Sequence, residues 1–299
     1  MLRLLLLFVT GLILQGGPTL AQPTPPEATA EPPALLQEAQ ALLDRAQFRP
    51  AIAIYSQVLA DDPADLAALL GRARAQIEIA SLESALTDVE QALLLAPQDA
   101  LALTLRGYLR LSAGQMDDGM ADIEAAKTAD PESAEPFNYL ALYYLATNQP
   151  QQALEALNAS LALEPTQPLT LNSRAVAHSF LNNRDAALAD LNAALALAPQ
   201  SALILTNRAA FYRGLRQYDR ALADANAAIT ADPEYGLAYL QRCFTYIEMG
   251  QTNPAQLRQF YQLALADLDQ YLELTHPDDR YARLDEYRAQ IVQIIARTP

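Results

Sequence analysis

Arg72, Arg106, Arg174, Arg208 and Arg242 are followed at fixed distances by Asp88, Asp122, Asp190, Asp224 and Asp267. The interval is 16 residues in the first four cases and 25 in the last. A planar guanidinium carries donors in a fork that matches the two oxygens of a carboxylate, so this pairing suits bidentate ion pairs. The alternative is a row of arginines presented to an acidic ligand. Each arginine, however, arrives with its own counter-charge. Where the corresponding position is Glu38 or Leu140, the acid is also lost, to Ile54 and Ala156. The reading adopted is a structural bridge between two helices. The remaining chemistry-bearing residues are sparse. Cys243 stands where neighbouring segments have a small residue and reads as a packing thiol, His178 stands where others have tyrosine, and His276 precedes a proline in a loop. Asn158-Ala159-Ser160 has the form of a glycosylation acceptor but falls inside a helical pattern, so it is read as accidental. No glycine-rich phosphate loop, metal-ligand spacing or nucleophile elbow occurs, so no catalytic residue, cofactor or metal is assigned and the chain is expected not to be an enzyme. A formal charge of −15 with pI near 4.5 disfavours nucleic acid as a partner.

The elements that position these residues follow from a repeat. Prolines stand at 63, 97, 131, 165, 199 and 233, five equal steps of 34 residues. With the proline numbered 32 in each unit, units begin at Pro32, Leu66, Ala100, Ala134, Pro168, Ala202 and Gly236. A small residue occupies position 8 (Ala39, Ala73, Gly107, Ala141, Ala175, Ala209, Cys243) and position 20 (Ala51, Ala85, Gly119, Ala153, Ala187, Ala221). Each unit holds two stretches of helical period with a break near position 15, and proline, lacking an N–H, ends the second. The arginine falls at position 7 and the aspartate at 23, level with each other in a hairpin that turns near position 15. The last unit is irregular. Extra residues including Asn253 and Pro254 predict a lengthened second helix over 254–274, with Asn253 as N-cap and Pro254 as its first residue. Residues 278–299 predict a capping helix with Leu284, Ile291, Ile294 and Ile295 on one side.

This pattern resembles the tetratricopeptide repeat, whose period is 34 with small residues at 8, 20 and 27 and proline at 32. The resemblance covers about 32–277 and implies an all-α, right-handed superhelical solenoid of about seven helix-turn-helix units, occupying 34–277. It also implies a concave groove lined chiefly by positions 2, 5, 9 and 12 of each first helix. Among the residues this places there are Thr104, Asn138, Asn172 and Thr206, a ladder of short hydrogen-bonding side chains, and Tyr108, Leu142, Val176 and Phe244, which flank it. Such a surface suits an extended peptide, with polar side chains for its backbone and pockets for alternate side chains. The carboxylate-clamp pattern of tetratricopeptide co-chaperones is met only by Asn207, so that mode is not expected.

The first 21 residues read as a signal peptide: Arg3, the apolar run Leu4–Leu14, and small residues Thr19 and Ala21 before a cleavage point. An uncleaved membrane anchor is the alternative, although the run is short for a span. Residues 22–33 are a Pro-rich linker. Together these predict an exported, periplasmic or secreted interaction scaffold that holds an extended segment of a partner protein and is not inserted in the membrane after cleavage. Self-assembly as an envelope component, including a homo-oligomer, and a non-catalytic subunit of an exported enzyme are the alternatives.

Overall fold

A computed structural model describes residues 32–44, 47–275 and 282–298, so the expected signal peptide and most of the linker lie outside the described residues, as do His276 and Pro277. Two compact bodies divide the described chain, one up to Asp190 and one from Leu191 onward. Every described element is helical. The first body holds α1 (Pro32–Asp44), α2 (Phe48–Asp61), α3 (Leu66–Glu78), α4 (Leu82–Leu95), α5 (Ala100–Ser112), α6 (Met116–Ala129), α7 (Glu135–Ala146), α8 (Pro150–Leu163), α9 (Pro168–Phe180) and the start of α10 (Arg184–Leu197). The second holds the end of α10, then α11 (Ala202–Gly214), α12 (Tyr218–Ala231), α13 (Gly236–Thr252), a 3₁₀ turn (Pro254–Gln256), α14 (Leu257–Thr275) and α15 (Ala282–Arg297). Helix starts at Pro32, two residues inside the expected linker, and α15 begins four residues later than the expected cap.

Local chemistry sets the boundaries. The residue before each repeat proline is extended, with φ from −128° to −144° and ψ from 83° to 98° at Asp62, Ala96, Asp130, Glu164 and Asp232. Proline crowds a helical conformation in the residue before it, so the second helix stops there. Three of these residues are aspartates that accept a hydrogen bond from the backbone N–H two residues on, closing the loop: Asp62 from Ala64, Asp130 from Glu132, Asp232 from Glu234. Asp65 and Asp99 then cap the next helix, accepting from Ala68 and Ala102 N–H at 2.8 Å each.

Within a unit the turn is a left-handed residue at position 15. Ala80, Gly114, Asn148, Asn182 and Arg216 have φ between 58° and 80°. The following N–H closes back on the carbonyl of position 11 at 2.7–2.9 Å, as Ser81 does on Gln76 and Gln217 on Tyr212, which satisfies carbonyls the helix end leaves free. The last unit departs from this. Gly250, which aligns with position 15, lies inside α13 rather than in a turn, and a Cβ there would meet the Tyr261 ring at 2.9 Å. The expectation that the extra residues lengthen only the second helix is therefore corrected: α13 runs to Thr252, because the glycine lets the Tyr261 ring lie against the helix. Asn253 makes no side-chain cap bond, and Pro254 opens a 3₁₀ turn before α14.

The core consists of the small residues at positions 8 and 20, fully buried in unit after unit, with large side chains such as Leu69, Ile77, Leu105, Ile123 and Leu157 packed between helices. In unit 3 both small positions are glycine. A Cβ on Gly107 would lie 3.0 Å from the Gly119 carbonyl oxygen and one on Gly119 2.9 Å from that of Gly107, so the two backbones touch. First helices also pack on first helices, α1 on α3, α3 on α5, α5 on α7 and α7 on α9 in one body and α11 on α13 in the other.

The left-handed turn yields the first prediction. A non-glycine residue pays a steric cost there that glycine avoids, and the gain is partly offset by glycine's freedom in the unfolded chain. Arg216→Gly is expected to stabilise the protein by about 0.5–1 kcal/mol, read from urea unfolding; a loss of stability would show that Arg216 is held by contacts rather than strained.

Candidate functional site

All five arginines lie against their aspartates. In each, Nε and Nη2 donate to the two carboxylate oxygens at 2.6–2.9 Å, joining the two helices of one unit: Arg72 to Asp88, Arg106 to Asp122, Arg174 to Asp190, Arg208 to Asp224 and Arg242 to Asp267. The aspartate side chains are 5–10% exposed and the arginines 22–25%. The hydrogen bond to the aspartate pushes Arg208 above the usual arginine range, as it does Arg106, Arg174 and Arg242.

The third donor was not foreseen in the sequence. Nη1 reaches back to position 25 of the preceding unit: Arg72 to Ser56, Arg174 to Asn158, Arg208 to Asn192 and Arg242 to Asn226, at 2.7–3.1 Å. Each of these four guanidinium groups thus ties three helices. The signal was present as asparagines at 158, 192 and 226, one repeat apart. Asp269 continues the row and is taken by Arg288 of α15 at 2.6 Å, so the terminal helix stands where a further first helix would stand. Ile291 of α15 is 1% exposed and Tyr287 lies 6.0 Å from the Phe244 ring.

The expected peptide ladder is corrected by burial. Thr104 is 0% exposed and its hydroxyl donates to the Ala100 carbonyl at 2.7 Å. Asn172, Thr206 and Tyr108 are buried as well. Asn138 donates to Gln167 Oε1 at 3.0 Å and accepts from Ser160 and Thr170 at 2.6 and 3.0 Å. Phe244 is half-buried beneath Arg213, whose guanidinium carbon is 5.8 Å from its ring centre. The reason is the packing of first helix on first helix, which draws position 5 into the seam. Leu142 and Val176, at position 9, remain half-buried, and Leu169, at position 2, is 53% exposed.

A second group was invisible to the repeat because its members differ in every unit. Unit 4 lacks the arginine, and its helix α7 packs more closely on α5 than on α6, the reverse of the order at the other junctions. On the α3–α5–α7 face, Arg74 Nη2 lies 3.2 Å from Glu135 Oε1, crossing α5 to link units 2 and 4. Arg74 also bonds the Tyr139 hydroxyl, and the Tyr108 and Tyr139 rings meet at 5.5 Å with planes tilted by 58°. Tyr55 joins from α2, its ring lying where a side chain at Gly71 would be, 2.3 Å from an ideal Cβ. Burial pushes the Glu78 carboxyl up to about 7, with Arg74 pulling it down, and burial raises the Tyr108 hydroxyl to about 12. Glu78 ionises later in the folded chain than in the unfolded one. It therefore supports the fold below its ordinary pKa, and that support is lost as pH rises through about 7. Among the described residues, no group of three or more His, Cys, Asp or Glu could hold a metal ion, and no helix is long and apolar enough to cross a membrane.

Small residues at 8 and 20, proline at 32 and a hairpin per unit are the pattern of a tetratricopeptide repeat. The family model described as tetratricopeptide repeat matches residues 36–86 and 78–134. By sequence, none of the curated proteins matches. Among solved structures, a human IFIT1 dimer with PPP-AAAA is similar at TM-score 0.67 and 17% identity, over 90% of this chain and 65% of that one. The APC/C hetero-tetramer Cut9-Hcn1 gives 0.58 and 17%, over 89% of this chain, which spans only 55% of that one. A tetratricopeptide repeat protein from Parabacteroides merdae gives 0.53 and 17%, over 89% and 98%. At these identities the likeness is one of fold.

The geometry of the forks predicts unequal losses. Arg208→Ala leaves Asp224 buried without its counter-charge, whereas Asp224→Ala leaves Arg208 partly solvated and still bonded to Asn192. The arginine variant is expected to lose about 3–5 kcal/mol and the aspartate variant less. The double variant should show a coupling of about 0.5–3 kcal/mol in denaturant unfolding. Purely additive losses would show that the two side chains do not depend on each other.

Proposed function

We propose that this chain is a protein-interaction scaffold that holds an extended segment of a partner protein along the first-helix face of the first body, the one that ends at Asp190. The observation that carries this reading is the contrast along that face. At position 5 Thr104 and Asn172 are buried in the seams and Asn138 is half-buried with its amide engaged, while Arg74, Glu135, Leu142, Val176 and Leu169 keep accessible surface at positions 2 and 9, where Tyr108 alone of those named is buried. A charged stretch followed by an apolar one can take alternate side chains of an extended segment. Charge supports a basic ligand. Residues 24–190 hold nine basic against 23 acidic residues, −14, whereas 191–299 hold ten against 12, −2. A field of that sign raises the encounter rate with cationic segments and weakens with salt. Leu142→Arg and Val176→Arg are expected to weaken an extended Leu/Ser peptide with a central lysine by about tenfold or more, read by calorimetry. Leu94→Arg, at an 83% exposed position in α4 and away from that face, should leave binding unchanged. If Leu94→Arg weakens binding and the other two do not, the partner lies on the opposite face.

We further propose that the scaffold works outside the cytoplasm. Arg3, the apolar run and Ala21 support this, and the Pro-rich residues after them suit a tether. N-terminal sequencing of the protein from cells should begin at Gln22 or near Glu31; an intact Met1 in a cytosolic fraction overturns it.

A further inference from the structure

The Arg74 group sets two carboxyl groups against one guanidinium, and one of the two, Glu78, is held partly protonated by burial. Arg74 faces two carboxyl groups, Glu135 at 3.2 Å and Glu78 one helical turn along α3, and the tyrosines Tyr55 and Tyr139, while Tyr108 lies near Glu78. Its contact with Glu135 differs from the five forks. It is a single bond rather than a bidentate one, it is longer, and both side chains keep about a third of their surface in water, 28% and 33%. Such a pair contributes little to stability. It is also the contact that closes the face over unit 3, running from unit 2 to unit 4. Two tyrosine rings meeting at 5.5 Å stand beside the carboxylates, and carboxylates next to aromatic faces attract cations with both charge and ring quadrupole.

We propose that Glu78 and Glu135, with Tyr108 and Tyr139 beside them, form a receiving site for one cationic side chain of the partner segment, a lysine or an arginine, and that Arg74 holds the site closed until that side chain arrives. This rests on the first-helix face being the binding face and names the ligand chemistry at its charged end. The entering cation pairs with Glu78 while Arg74 keeps Glu135, or exchanges with Arg74 at Glu135; either way two carboxylates face two cations. Burial holds a proton on part of the Glu78 population near neutrality. Binding the cation therefore releases that proton to solvent, and affinity rises as pH rises from 6 to 8. Arg74 stays charged through this range and the tyrosines stay neutral, so Glu78 alone sets the sign.

The full chain is titrated by calorimetry with blocked nonapeptides of alternating Leu and Ser carrying a central Lys, norleucine or Glu. The Lys peptide is expected to bind about tenfold tighter than the norleucine peptide at pH 8 and only about threefold at pH 6, with a binding enthalpy that varies with the ionisation enthalpy of the buffer. Glu78→Gln and Glu135→Gln, checked for unchanged helical circular dichroism, should each bring the Lys peptide to the level of norleucine, and Glu78→Gln should abolish the proton release. Equal binding of the Lys and norleucine peptides overturns the receiving site and leaves the binding face standing. Methylguanidinium probes the site without the face: its titration should shift the ring proton resonances of Tyr108 and Tyr139 in the parent and not in Glu78→Gln. If methylguanidinium shifts them while no peptide binds, the site stands and the face is wrong. Absence of both effects overturns the two together.

Discussion

The fold depends on a buried carboxylate that three helices cannot leave unpaired. Each position-23 aspartate lies at the centre of a helical hairpin with little access to water, and a lone charge there would cost several kcal/mol. The arginine at position 7 covers it with two parallel hydrogen bonds and extends its remaining nitrogen to the helix before. One side chain thus fixes both the closing of a hairpin and its register on the preceding unit. A lysine, with a single ammonium, could not hold three acceptors in one plane. At the terminal helix Arg288 also reaches both oxygens of Asp269, but there both side chains are 44% exposed, so that contact is a solvated one.

Where the fork is absent the structure changes character. Unit 4 has Leu140 and Ala156 at those positions, so nothing there demands an arginine, and its first helix moves its packing toward the first helix of unit 3. The polar work is redistributed in two ways. The neutral network of Asn138, Ser160, Thr170 and Gln167 holds unit 4 to unit 5. The Arg74–Glu135 contact and the paired tyrosines span units 2 to 4. The charged end of the proposed binding face therefore lies at the one internal unit that lacks the repeat's own electrostatic lock. A surface meant to exchange partners is better built from a single, solvated ion pair than from a buried bidentate one, because the former can be replaced at small cost.

Much of the fold was legible in the sequence because a period of 34 constrains the backbone directly. Proline at 32 fixes where a helix stops, small residues at 8 and 20 fix where helices touch, and the matched Arg and Asp fix which faces meet. These are properties of single residues acting on their own helix or on its nearest neighbour. The irregular last unit was only partly legible, since Gly250 has the form of a turn glycine and the Tyr261 ring that occupies its empty side is eleven residues away.

The site was legible to a smaller degree. Reading position 5 as a surface ladder assumed that a polar residue on the inner stripe faces solvent. Thr104 and Asn138 show otherwise, because hydroxyls and amides can spend their hydrogen bonds inside a seam between helices. Nor could the sequence assemble Arg74, Glu78, Tyr108, Tyr139 and Glu135, which share no repeat position. Their meeting depends on how far each unit turns relative to the one before, a sum of small rotations that no local residue encodes. The sequence by itself determined the hairpins, their ends and the forks that lock them, since those arise from steric and electrostatic demands within one period. Only the tertiary structure decided which side chains of the inner face stay in water and which distant charges face one another, because those follow from the stacking of whole helices.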